Sequence, residues 1–296
     1  MTDFLQQVAS GLSSGAIYAA LALALVLIYR STGVVNFAQG EMATLSAFIA
    51  WTLIDHGLTY WLAFALTLLI SFAGGVALER VVIRPVERGP VLTVVILTIG
   101  LFIFLGGLMN WIWKAEVRSF PPDRPFSTNT IDLGGVAISY QDIGILGVTL
   151  GVVALLWILF QKTKVGLALR AAALDPAASR LVGIRVGWML ALGWGLAAAL
   201  GAVAGLFTAA AFPPLEPNMM RAVLIYAFAA AVLGGLTSPL GAVIAGLALG
   251  VALNLVGAYV DFVGSAMRLP VALALILLVL LVRPAGLFGR VAVRRV

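Results

Sequence analysis

Residues 163–186 read TKVGLALRAAALDPAASRLVGIRV, a basic segment between two apolar runs that are each long enough to cross a bilayer. Asp175 suits the N-cap of a helix, Pro176 suits the first helical position and Gly183 suits the residue after a helix end. The segment therefore predicts a short helix, a break and a second short helix at the membrane surface. We expect such a structured, basic end of a span to offer a docking surface to a cytoplasmic partner.

The rest of the chain is dominated by apolar residues. Of its 296 residues, 62% are hydrophobic and only 10% are charged, whereas soluble domains carry roughly 25% charged residues. Runs of the roughly 20 apolar residues that a spanning helix needs recur from end to end. We therefore predict one domain, residues 1–296, with an all-α fold: a polytopic transmembrane helical bundle of about nine spans (eight to ten), some of them short or broken. The expected spans are residues 10–29, 40–56, 60–79, 91–113, 141–161, 187–212, 221–237, 239–257 and 267–282.

Several classes of chemistry lack their residues in this sequence. There is no cysteine, His56 is the single histidine, and no G-x-x-x-x-G-K-[ST] nucleotide-binding loop occurs. No nucleophile–base–acid constellation is visible either. We therefore expect a chain that is not an enzyme and binds no metal or cofactor itself. Its pI near 10.1 reflects basic loops beside spans rather than a nucleic-acid partner.

The charged residues divide unequally between the two sides of the predicted bundle. The side that carries residues 163–186 holds 13 of the 18 basic residues and four acidic ones, and the other side holds five basic and eight acidic residues. Because cytoplasmic loops are rich in Lys and Arg, the N-terminus is expected outside and the C-terminus in the cytoplasm. Every charge is placed in a loop or near a span end. Ion-driven transporters usually keep ionisable groups inside the membrane, so we expect the energy source to lie outside this chain.

A polar hexapeptide, NFAQGE at residues 36–41, follows Gly33 between two apolar runs. Such a stretch cannot stay unsatisfied in lipid, so it forms either an interfacial turn or a break that lines a cavity. In the simpler interpretation it is a cytoplasmic turn in which Glu41 favours a helix start through the helix dipole. With both interpretations open, the candidate residues for a transport pathway are Asn36, Gln39, Gly40 and Glu41.

The stretch GGLTSPLG at residues 234–241 contains three glycines and a proline, which interrupt a helix. Short flanking helices suggest a discontinuous span near a transport site, and a tight helical hairpin is the alternative. Asn254 lies alone in a later span; most such groups bond across helices, but it is the best isolated pathway candidate. The further candidate pathway residues are therefore Gly234, Gly235, Ser238, Gly241 and Asn254.

Two other features describe packing and loops rather than chemistry. Residues 114–140 form an expected outer loop whose prolines exclude a regular helix at its centre, and it either receives an extracytoplasmic partner or merely connects two spans. GxxxG spacing lets helices approach closely and says nothing about substrate. It occurs at Gly147/Gly151, Gly201/Gly205 and Gly246/Gly250.

Together these motifs resemble the membrane permease subunits of branched-chain amino acid ABC importers, specifically the shorter of their two permeases. The resemblance covers nearly the whole chain, and the shared order and spacing of the motifs make it specific. It rests on NFAQGE (36–41), ERVVIRPV (79–86), residues 166–184, AVLGG (231–235) with Ser238 and Gly241, and RPAGLFG (283–289).

The resemblance implies an assembly. A homologous second permease subunit would complete the pathway, two cytoplasmic ATPase subunits holding ATP and Mg²⁺ would drive it, and an extracytoplasmic solute-binding protein would deliver the solute. The expected location is the bacterial cytoplasmic (inner) membrane. Residues 163–186 match the region that couples a permease to its ATPase, and the implied coupling residues are Gly166, Leu167, Arg170, Asp175, Arg180, Gly183 and Ile184.

The chain departs from the family pattern at three positions. Similar permeases often carry His at the position of Gln39, Lys near Tyr226 and Glu near Leu253. Since both charges are absent together, we hypothesise that neutral packing replaces a buried ion pair, a change that can be energetically neutral when both partners go.

The expected function is ATP-driven import of branched-chain amino acids or a similar small solute by alternating access. The alternative is a self-contained secondary transporter or channel for a small solute, which the lack of intramembrane charges disfavours. Urea, short amides and aromatic acids remain open as substrates.

Overall fold

A computed structural model describes residues 2–87, 89–114, 116–119, 125–127, 129–132, 134–260 and 267–289. These residues form eleven α-helices, a π-helical turn at Glu79–Ile83 and one antiparallel hairpin of strands β1 (Thr130–Asp132) and β2 (Ala137–Ser139). The helices are α1 Thr2–Thr32, α2 Gln39–Asp55, α3 Tyr60–Leu78, α4 Val91–Trp113, α5 Tyr140–Lys162, α6 Lys164–Leu174, α7 Pro176–Leu181, α8 Val186–Ala211, α9 Met220–Gly234, α10 Pro239–Tyr259 and α11 Arg268–Val282.

The prediction of an all-α polytopic bundle is confirmed, and each of the nine predicted spans coincides with a helix. Six helices are long and apolar enough to cross a membrane: α1, α3 with its π-helical turn, α4, α5, α8 and α10. The other three, α2, α9 and α11, are shorter. Some predicted loop positions lie outside the described residues, namely Arg88, Pro121, Pro122, Asp123, Arg124, Asp261, Arg290, Arg294 and Arg295.

Helix α1 is the centre of the bundle and is buried along most of its length. Small residues allow its neighbours to approach it at backbone distance: a Cβ at Gly246 of α10 would lie 2.6 Å from the Ala19 Cα, and one at Gly250 would collide with Gly15. Helix α8 approaches α2 in the same way, since Gly205 lies directly against the carbonyl oxygen of Ala43. The glycine pairs in α8 and α10 therefore close the core of this chain.

The helix ends fall on two opposite sides of the molecule. On one side the N-terminal end of α1 meets the β-hairpin, where the Gln6 side chain donates a hydrogen bond to the Ala137 carbonyl at 2.6 Å. This side, called the loop side below, also holds an isolated β-bridge between Arg118 and Leu215. The described residues of loop 114–140 form no helix before Tyr140, but the centre of the loop, with Pro121 and Pro122, lies outside them. The hairpin was not predicted from the sequence. On the other side α6 and α7 follow α5.

Candidate transport pathway and coupling segment

The polar hexapeptide forms a break between α1 and α2. Helix α1 ends at Thr32, Gly33 takes a positive φ of 73°, and regular helix resumes only at Gln39. The Asn36 side chain organises the break, because its Oδ1 accepts from the Ala38 N–H at 3.0 Å and its Nδ2 donates to Gln39 Oε1 at 3.2 Å. This local network satisfies polar groups that lipid could not.

The break lies deep within the bundle, level with the middle of its neighbours. Gln39 Nε2 donates to the Ala197 carbonyl at 3.0 Å, and Ala197 is close to the midpoint of α8. A Cβ at Gly40 would come within 3.2 Å of Leu224 on α9, and a Cβ at Gly106 would lie 3.8 Å from the Glu41 carboxylate. The interpretation as a plain interfacial turn is therefore wrong, because packing against α8, α9 and α4 draws the start of α2 into the interior.

Glu41 contradicts the expectation that no charged residue lies in the middle of the bundle. The residue is 3% exposed, and its Oε2 is buried without a hydrogen-bond partner. Arg221, at the start of α9, is close enough to act electrostatically on Glu41 but forms no salt bridge with it; the Arg221 guanidinium lies over the Phe102 ring. Burying a carboxylate oxygen without a partner is costly, which makes Glu41 a candidate functional position. Sequence reasoning placed Arg221 at the outer edge of a span and missed its relation to Glu41.

The glycine-rich stretch forms a tight turn between α9 and α10 on the side that carries α6. Gly235 has a positive φ of 96°, and Gly234 packs directly against the Gly241 backbone. The Ser238 side chain caps α10 by accepting from the Gly241 N–H at 3.1 Å. Residues 283–289 seal the turn, with the Leu287 N–H donating to the Leu233 carbonyl. The pathway role of this turn remains a prediction.

Asn254 lies near the loop side, away from residues 36–41 and from residues 234–241. Its Nδ2 donates to the Gln7 carbonyl at 3.3 Å, so it joins α10 to the start of α1. The structure thus brings Asn36, Gln39, Gly40 and Glu41 together, and places the glycine-rich turn and Asn254 at other levels of the bundle. The role of Asn254 in a pathway also remains a prediction.

The segment after α5 has the predicted form of two short helices with a break. Asp175 Oδ1 caps α7 by accepting from the N–H groups of Ala177 and Ala178, both at 2.9 Å, with Pro176 at the first helical position. Gly183 ends the segment with a positive φ of 82°. Gly166 lies against the backbone of Phe160, so α6 folds back closely onto α5.

An apolar surface is exposed on this segment. It includes four side chains that are 61% to 89% exposed, and these are Leu167, Leu174, Leu181 and Val182. Exposed large apolar groups clustered among basic residues are typical of a protein-binding surface. Arg180 is also exposed, while Ile184 and Arg170 are partly buried.

A cation–π contact links the first turn of α8, directly after this segment, to the π-helical turn that follows α3. The Arg80 guanidinium, in the π-helical turn, lies 3.6 Å from the centre of the Trp188 ring in the first turn of α8. A contact of this kind contributes roughly 0.5–2 kcal/mol. Arg80 and Trp188 are 108 positions apart in the chain, and nothing in the sequence predicts that their side chains are in contact.

These features define a multi-pass helical membrane protein with an interrupted helix inside and a basic segment with exposed apolar side chains at one end. The profile described as "Branched-chain amino acid transport system / permease component" matches residues 7–282. The chain belongs to this family of permeases. It is therefore a transport component of an ABC importer rather than an enzyme.

Individual relatives match over nearly the full length. The chain is 36% identical to the high-affinity branched-chain amino acid transport system permease protein BraD of Pseudomonas aeruginosa, over 99% of this chain and 98% of BraD. It is 32% identical to the corresponding LivH of Escherichia coli K12, over 99% and 98% of the two chains. A solved structure, PsaBC from Streptococcus pneumoniae in complex with Fab, aligns with 95% of this chain and 92% of the compared chain. The sequence identity is 14% and the TM-score is 0.51, which shows a similar fold.

Proposed function

We propose that this chain forms part of the pathway by which an ABC importer moves branched-chain amino acids, or a similar small solute, into the cytoplasm by alternating access. Its relatives BraD and LivH are named as permeases for branched-chain amino acids. The observation that carries the proposal is the break at residues 36–41, a buried polar interruption at mid-depth. Interrupted helices at this depth are typical of substrate sites in transporters.

The charges near the break complement an amino acid. In solution such a solute is a zwitterion, with one ammonium and one carboxylate group. Glu41 has no ion-pair partner among the residues that the structure describes, while the Arg221 guanidinium and the N-terminal N–H groups of α2 attract a carboxylate. In this proposal Glu41 faces the ammonium group, and Asn36 and Gln39 hold the break in shape.

The docking segment at residues 163–186 receives an ATPase in this proposal. Its exposed apolar side chains on α6 and α7 provide the contact, and closure of two cytoplasmic ATPase subunits, which bind ATP and Mg²⁺, displaces the segment. The contact between Arg80 and Trp188 passes that movement to α3 and α8. The N-terminus then lies outside and the C-terminus in the cytoplasm.

The remaining partners follow from the same class of importer. A homologous second permease subunit completes the pathway, and an extracytoplasmic solute-binding protein presents the solute at the loop side. A self-contained secondary transporter is the rival proposal. Because Glu41 lies at mid-depth, a lack of charged residues inside the bundle no longer argues against a secondary transporter. Membership of the permease family nevertheless favours the ATP-driven assembly.

The test compares two glutamines that both donate to a carbonyl of α8. Gln39 bonds Ala197 at mid-depth, and Gln141 bonds Ala210 near the loop side at 2.9 Å. We expect Q39A, and likewise N36A, to reduce leucine uptake by the complete transporter about tenfold, since losing a hydrogen bond worth roughly 1–1.5 kcal/mol in the limiting step has that effect. Q141A serves as the matched control.

Assembly is followed in parallel by co-purification with the ATPase subunits and should be unchanged. Normal uptake by Q39A and N36A would remove the break from the pathway. Equal loss in Q39A and Q141A would show that each glutamine only supports the packing of α8.

A further inference from the structure

A cavity of about 640 Å³ lies on the side of the molecule that carries α6. The last turns of α1 and α5 and the first turn of α10 form its walls. Trp157 and Leu240, which also line it, are about half exposed, so the cavity opens to the surroundings of the bundle. Its apolar lining includes Leu23, Leu27, Val153, Leu156, Phe160 and Val243.

Two arginines, Arg30 of α1 and Arg170 of α6, line the same cavity. Arg170 Nη1 donates to Gln161 Oε1 at 3.1 Å, and its Nε is buried without a partner. Arg30 has no side-chain hydrogen bond or carboxylate partner within the part of the chain that the structure describes. The two guanidinium groups are close enough to repel one another. The cavity therefore contains two positive charges for which the described residues provide no anion.

The basic and apolar parts of the cavity are arranged along the helix axis. Leu23 and Arg30 are seven residues apart on α1, which corresponds to about 10 Å. A ligand that fills the cavity is therefore an amphiphile, with an anionic group at the arginines and an apolar chain that extends into the bundle. Guanidinium groups bind phosphate in a bidentate manner, and basic pockets between transmembrane helices bind anionic lipid headgroups.

We propose that an anionic phospholipid occupies this cavity, with its phosphate between Arg30 and Arg170 and one acyl chain along Leu23, Leu27 and Leu156. The headgroup neutralises the repulsion between the two guanidinium groups. Because Arg30 belongs to the central helix and Arg170 to the docking segment, the lipid holds α6 against α1. The anionic lipid content of the membrane then influences how firmly the docking segment is coupled to the bundle.

The experiment measures retained lipid on the complete transporter by native mass spectrometry. The complex is extracted from vesicles of phosphatidylcholine mixed with phosphatidylglycerol. The R30Q/R170Q double variant removes both charges, and the L156W variant fills the apolar part while both arginines remain. R185Q is the matched control, because Arg185 is an exposed arginine on the same side that does not line the cavity.

We expect the unmodified complex and R185Q to retain one more phosphatidylglycerol per permease chain than either cavity variant. Retained phosphatidylcholine should be the same in all four. Equal retention of phosphatidylglycerol in all four would overturn the proposal and leave an acidic surface of the ATPase as the partner of the arginines. Because the readout is bound lipid, the result does not depend on the identity of the transported solute.

Discussion

At the scale of single residues, Tyr226 and Leu253 are two neutral side chains packed in the core of the bundle. Tyr226 packs against Tyr18 with ring centroids 5.1 Å apart, and Leu253 is 3% exposed in the same core cluster. Arg268 lies near enough to Tyr226 to act on it electrostatically. Neutral packing at both positions fits the hypothesis from the family resemblance that a buried ion pair has been replaced, a change that can be energetically neutral when both partners go.

The first prediction tests this replacement with the variants Y226K, L253E and the double variant. A buried charge without its partner costs roughly 3–5 kcal/mol, so each single variant should lower the amount of folded permease strongly. The double variant should recover much of the loss, as measured by thermal unfolding of the purified protein. If each single charge is tolerated as well as the pair, the hypothesis is wrong.

The sequence alone predicts the roles of residues that depend only on their near neighbours in the chain. Asp175, Pro176 and Gly183 fix the ends of short helices through bonds within three residues, and Ser238 caps α10 in the same way. The depth of Glu41 could not be predicted, because it depends on how α4, α8 and α9 pack around residues far away in the chain. The polar residues around it in the sequence were compatible with an interfacial turn as well as with a break inside the bundle.

At the scale of elements, a side-chain cap at the N-terminus of each helix supports α6 and α7. Thr163 accepts from the Gly166 N–H at 3.0 Å at the start of α6, and Asp175 caps α7. Both helices are short, so they depend on such caps and on packing rather than on intrinsic helix stability. A capped helix transmits a displacement that a flexible loop would absorb.

The second prediction removes the cap of α7 with D175A. An N-cap contributes about 1 kcal/mol, so we expect uptake by the complete transporter to fall severalfold while ATP hydrolysis persists. D175N should restore uptake because asparagine is an equally good cap. D132A is the control, since Asp132 accepts a comparable bond from the Gly135 N–H on the loop side. Equal behaviour of D175A and D132A would contradict a coupling role for α7.

The third prediction separates two glycine pairs that look alike in the sequence. A Cβ at Gly250 collides with Gly15, whereas one at Gly147 meets no atom within 4 Å. G250A should therefore destabilise the purified permease by roughly 1–3 kcal/mol through overpacking. G147A should leave its stability unchanged or raise it by up to about 1 kcal/mol, since alanine favours helix. Thermal unfolding measures both, and an equal shift in the two variants would contradict the packing of α1 on α10.

At the scale of the whole molecule, the bundle separates an interior break from an exposed docking segment. Helix α1 lies at the centre and packs against α8, α9 and α10 in one core, and Gln39 is bonded to α8. In the proposed mechanism, a movement of α6 and α8 would be passed through these contacts to residues 36–41. The overall helical architecture was predictable from apolar run lengths. The pairing of the helices was not, because small residues occur on most spans and only packing shows which of them meet.

The central claim is that this chain carries solute only when a separate ATPase acts on residues 163–186. The most direct measurement is leucine uptake into vesicles that contain the complete transporter and its binding protein, with Mg-ATP supplied or withheld on the side of the ATPase subunits. The account predicts accumulation with ATP and only background uptake without it. Equal uptake in the absence of nucleotide would contradict it.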